Sequence, residues 1–153
     1  MLSTVKLFIQ EYFVTTKEAK DGEINTLHLA AAMLFVEAMY ADHKTSVQEE
    51  NAIRLAMAKC FNLSEDEIEQ LVSLAKEKAK DVTSLHEYTS TIHRDLSLEE
   101  KIRIVEQIWF IILADDEIDK HEEHLVRRIA DLLYLRHSEF IQAKHRILKQ
   151  LQL

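Results

Sequence analysis

Carboxylates crowd two short stretches of this sequence. One is Ala114-Asp115-Asp116-Glu117-Ile118-Asp119-Lys120-His121-Glu122-Glu123; the other, 73 residues earlier, is Ala41-Asp42-His43-Lys44-Thr45-Ser46-Val47-Gln48-Glu49-Glu50. In each, an Ala-Asp pair closes an apolar segment, and a Glu-Glu pair stands seven and eight residues after the Asp. Carboxylate oxygens are hard donors of the kind that Ca²⁺, Mg²⁺ and Mn²⁺ prefer. A loop that folds back would bring an Asp at one helix end near a Glu in the first turn of the next. Two such carboxylates about 5 Å apart repel by roughly 3 kcal/mol at an effective dielectric near 20, and a bound cation removes that penalty. The residues expected to hold a divalent cation are therefore Asp42 with Glu49, and Asp115 with Glu117, Asp119 and Glu122.

The same residues also fit a plainer role. Ser46 with Glu49, and Asp119 with Glu122, have the spacing of reciprocal capping boxes, and acids suit helix N-termini in any case. The second stretch is not an EF-hand: Asp115, Glu117 and Asp119 match positions 1, 3 and 5, but Lys120 replaces the glycine and Val126 stands where the bidentate Glu belongs. His121 and His124 flank Glu122 and Glu123 and could take zinc with Asp115, but the tighter His-Glu-x-x-His pattern is absent. Cys60 falls on an apolar helical face and reads as packing. Glu37 and Glu106 are acids set within apolar helical faces. Each is expected either to pair with a cation, such as Arg103, Arg127, Arg128 or a metal, or to mark a wet face. There is no Gly-rich phosphate loop and no Ser-His-Asp pattern, so the expectation is a protein without catalysis.

Helices must position these elbows. At 153 residues the chain is expected to be one domain, 1–153, long enough to bury about two-thirds of its unfolded surface. It has no proline and one glycine, Gly22, which argues for helices joined by short polar links. Apolar spacing predicts helices over about 2–19, 25–41, 47–61, 65–79, 85–92 and 98–114, another after the second elbow, and a last one after Ser138. Ser64 with Glu67 and Ser97 with Glu100 have capping-box spacing. The fold class is all-α, a bundle of about seven or eight helices in two pseudo-symmetric helix-elbow-helix halves. The helices ending at Asp42 and Asp115 are the most apolar, so both should be central, with Leu34 and Ile112 buried.

Net charge excludes one partner class: at −8 the chain is poorly suited to phosphates, so no nucleic acid is expected. One cysteine cannot close an internal disulfide, and the N-terminal residues lack the pattern of a signal peptide. The longest apolar run, Leu29 to Ala41, contains Glu37 and is too short to span a bilayer. A cytoplasmic protein without a transmembrane segment is expected.

The run Lys120-His121-Glu122-Glu123-His124-Leu125-Val126-Arg127-Arg128-Ile129-Ala130-Asp131-Leu132-Leu133, with Phe35 to Asp42, Ser97 to Ile102 and Val105 to Trp109, resembles the TerB-like family associated with tellurite resistance, in its bacterial stand-alone branch. The resemblance covers about residues 25–148 and is more specific in the second half. Where the family carries a glycine after each elbow Asp, this chain has His43 and Asp116. The resemblance implies an acidic, all-helical, pseudo-symmetric domain with a role in metal binding or in stress-response assemblies at the inner membrane face. Similar domains stand beside a J-domain in a membrane-anchored co-chaperone, which implies docking to protein partners. The functional expectation is an acidic binding module whose cofactor would be a divalent cation such as Ca²⁺, Mg²⁺, Mn²⁺ or Zn²⁺. The alternative is a protein-interaction scaffold whose acids are helix caps.

Overall fold

The computed structural model describes residues 24–41, 47–115 and 120–151, with Asp115 described by its backbone alone. The helix expected over residues 2–19 lies outside these. Seven α-helices follow one another: α1 (Thr26–Tyr40), α2 (Val47–Cys60), α3 (Glu65–Ala79), α4 (His86–Asp95), α5 (Leu98–Ile112), α6 (Lys120–Leu132) and α7 (His137–Leu151). A single 3₁₀ turn, Leu113–Asp115, continues α5 into the second elbow. Among the described residues there is no strand.

Local sequence explains where the helices begin. The Asn25 side-chain oxygen accepts from the backbone N–H groups of Leu27 and His28, at 2.9 and 3.1 Å, and so starts α1. The capping boxes expected at Ser64 and Ser97 both form. Ser64 and Ser97 hydroxyls accept from the Glu67 and Glu100 N–H groups, and those glutamates accept in return from the serine N–H groups. At α7 the expected start is shifted by a residue or two. The helix begins at His137 rather than after Ser138, and Glu139 accepts from the Arg136 N–H at 2.7 Å, so a glutamate supplies the cap.

Packing repeats itself. α1 lies against α2 and α3, and 73 residues on α5 lies against α6 and α7; α1 and α5 also pack on one another. The two central helices carry Met33, Leu34, Phe35, Ile104, Ile108, Trp109 and Ile112, all fully buried, as their apolar character requires. Symmetry is incomplete, because α4 packs on α1 while α2 reaches across to α5 and its 3₁₀ turn. α6 ends in a left-handed residue, Tyr134, at φ 61°. Leu135 N–H reaches back to the Ala130 carbonyl and Tyr134 N–H to that of Asp131, the Schellman pattern that normally uses glycine at this position.

Candidate functional site: two buried glutamates at the elbows

Glu49 and Glu122 are each the third residue of the helix that leaves an elbow, α2 and α6 respectively. Both are buried to 1% exposure. Helical spacing explains how they get inside. Glu49 lies in register with Ile53, Ala56, Met57 and Cys60, and Glu122 with Val126, Ile129, Ala130 and Leu133, every one of them buried. A carboxylate taken out of water costs several kcal/mol unless something offsets it. The first turn of a helix offers part of that offset, through its N–H groups and the positive end of its dipole.

The second glutamate of each pair is treated differently. Glu50 pairs with Lys76 of α3 at 2.5 Å, and Glu123 pairs with Lys144 of α7 at 3.7 Å. Lys144 also lies 5.1 Å over the Trp109 ring. In both halves, then, the first glutamate turns inward and the second is tied to a lysine of the third helix. The two lysines are not counterparts in the 73-residue repeat: Lys76 corresponds to Lys149, and Lys144 to Leu71. The hydrogen bond from Lys76 holds the Glu50 carboxyl below the usual carboxylate range.

A family model described as "Tellurite resistance protein TerB" matches residues 28–145, a span that includes most of α1, all of α5, both elbows and both buried glutamates. The chain belongs to the TerB family. A crystal structure of a protein of unknown function from Porphyromonas gingivalis W83 has a similar fold, with a TM-score of 0.59 and 18% sequence identity. The likeness covers 82% of this chain and 97% of the other. No curated protein matches.

Of the expected ligands in this TerB domain, Asp42, Glu117 and Asp119 lie outside the described residues, and Asp115 is placed only as the end of the 3₁₀ turn. That turn packs against α2, the helix that carries Glu49. Among the described residues no three of His, Cys, Asp and Glu come together in a way that could hold an ion. The capping boxes expected at Ser46 and Asp119 likewise involve residues outside the description.

Other singled-out groups of the domain resolve into packing. Glu106 pairs with Arg146 of α7 at 3.2 Å, not with Arg103, Arg127 or Arg128. Glu37 is half-buried on α1 with no ion pair among the described residues, and burial pushes its carboxyl up. Its charge is felt by Tyr88 of α4. Cys60 is fully buried, and burial pushes its thiol up, which makes it a poor nucleophile. His121 and His124 are exposed on α6. Sequence reasoning missed the lysines: nothing in the spacing of Lys76 or Lys144 ties either to a glutamate more than twenty residues away.

Proposed function

We propose that this TerB domain is a non-enzymatic acidic binding module that takes a divalent cation at its elbows, in a tellurite- or stress-response setting in the cytoplasm. The burial of Glu49 and Glu122 is the observation that supports the reading. A cap does not need to be buried. Glu67 caps α3 from an exposed position, and Glu100 and Glu139 do the same while partly exposed. A carboxylate held out of water in the first turn after each elbow is placed as a cation ligand would be. Glu49 and Glu122 would hold it with Asp42 and Asp115, and Asp119 and Glu117 would add oxygens in the second elbow. What a cation would supply there is charge neutralisation, and with it closure of the elbow.

Thermal melting with Ca²⁺, Mg²⁺, Mn²⁺ or Zn²⁺ tests this. One of them is expected to raise the melting temperature, since ligand at a hundred times its dissociation constant stabilises by about 2.7 kcal/mol. Asp115→Asn combined with Glu122→Gln is expected to abolish that response and leave the helices intact. A melt that ignores every divalent ion at millimolar levels would sink the cation reading.

A second reading is a protein-interaction scaffold that docks basic partners, near the inner face of a membrane or elsewhere. It is favoured by how many acids are already occupied: Glu67, Glu100 and Glu139 as caps, and Glu50, Glu69, Glu106 and Glu123 in ion pairs. Among the described residues no helix is long and apolar enough to cross a membrane. An unchanged melt with metal, joined to salt-sensitive capture of a basic partner, would favour this reading.

A further inference from the structure

Lys101 is the one lysine of the described residues that is buried, at 7% exposure. It sits in the second turn of α5, and its ammonium reaches two groups on other elements. One is the Leu133 carbonyl where α6 ends, at 3.0 Å; the other is Nδ1 of His93 on α4, at 2.9 Å. The His93 ring in turn lies against Tyr134, with ring centroids 4.5 Å apart. Tyr134 is the left-handed residue of the turn into α7, where a side chain costs roughly 1–2 kcal/mol relative to glycine. A non-glycine residue in that position needs its surroundings to hold it; the Schellman hydrogen bonds hold the backbone, and the His93 ring packs on the side chain.

Two basic nitrogens 2.9 Å apart can share one proton but not two. With the proton on Lys101, Nδ1 accepts; with it on His93, the amine accepts. Add a second proton and both become donors carrying like charge. We propose that Lys101 and His93 form an acid-released clasp that ties α4 to α5 and to the α6–α7 turn, closed while the two nitrogens share one proton and opened when a second is bound. The charged groups around it are few. Glu139 of α7 acts on Lys101 and favours its charge, against the burial that lowers its basicity. On α4 the neighbours Arg94 and Asp95 pair with each other at 3.0 Å. From α1, which also packs on α4, the Glu37 charge is felt at Tyr88. The turn itself presents the Leu133 carbonyl and the Tyr134 phenol.

Amide hydrogen exchange on the full chain at about pH 7.5 and about pH 5.5, spanning the range in which histidines titrate, tests the clasp. After correction for intrinsic exchange, the Tyr134 and Leu135 amides are expected to exchange at least about ten-fold faster at the lower pH, the equivalent of about 1.4 kcal/mol. His93→Asn keeps an acceptor near Nδ1 that does not titrate, so this variant is expected to show no acceleration. Equal acceleration in His93→Asn, or none in the wild type, overturns the proposal. Should the variant fail to fold, the wild-type NMR signals of the His93 ring and the Lys101 side chain decide. They are expected to shift together with the exchange midpoint, and a His93 titration that leaves the turn unmoved overturns the clasp. His28, whose pKa burial lowers to about 4, also weakens global stability across this window, and His93→Asn, which keeps His28, is the control for that contribution.

Discussion

Five helices of this domain carry glutamate as their third residue, and they divide into two groups. Glu67, Glu100 and Glu139 accept from the N–H that precedes their own helix and keep some or all of their exposure. Glu49 and Glu122, which follow the elbows, are buried to 1%. Residue type and helical position are shared, so neither explains the difference. What differs is the place in the chain: α2 and α6 each follow directly on a central helix, α1 or α5, whereas packing on those helices is shared by α3 and α7. A glutamate in the first turn of such a helix has core above and beside it. Burial is what sets the elbow glutamates apart.

The comparison breaks most visibly if a positive charge replaces each class in turn. Glu122→Lys places an ammonium in a dry site at the positive end of a helix and is expected to cost about 3–5 kcal/mol. Glu67→Lys, at an exposed start, is expected to cost about 1 kcal/mol or less. Urea denaturation of the two variants measures both. Equal losses would erase the distinction between elbow and cap.

Acid offers a second probe, at the start of α1. Burial lowers the pKa of His28 to about 4, with Glu67 acting weakly the other way, and its ring packs against Phe61 at 4.4 Å. The folded pKa lies below the unfolded value, so the unfolded chain takes up the proton first and stability falls as pH drops from about 6.5 toward 4. The loss approaches about 3 kcal/mol by the lower end. His28→Leu is expected to remove most of this dependence. A pH–stability curve that is the same in the variant would show that His28 is not the group responsible. The position 73 residues on from His28 is Lys101, so both halves set a basic group near the start of their central helix, partly buried at His28 and buried at Lys101.

Smaller effects sharpen the contrast between ordinary starts. Ser64→Ala and Ser97→Ala each remove one side of a formed capping box and are expected to cost about 1 kcal/mol apiece in thermal melts. Smallest of all is Lys76→Met. Its ion pair with Glu50 is part-exposed, so screening holds the expected loss to roughly 0.2–1 kcal/mol. If Lys76→Met cost as much as Glu122→Lys, the second glutamates rather than the first would be the structurally critical members of each pair.

Much of this was readable from residue order, because helix formation is decided locally. The capping boxes at Ser64 and Ser97, the absence of proline, and the apolar stretches ending at Asp42 and Asp115 are all contacts or patterns within a turn or two of chain. They specified an all-α bundle with Leu34 and Ile112 inside, and both are fully buried. Register also placed Glu49 and Glu122 on their apolar stripes. Register could not settle their burial, since Glu100 lies equally well in line with Ile104, Gln107 and Ile108 and stays partly exposed. Whether such a side chain meets water or core depends on which helix lies over it, and that is a contact between distant segments. The same limit hid the pairing of Glu106 with Arg146 and of Glu123 with Lys144. It also hid the meeting of Lys101, His93 and the Leu133 carbonyl, whose partners lie 8 and 32 residues away on other elements. Periodicity reports the face on which a residue lies; only the packed bundle decides what that face touches.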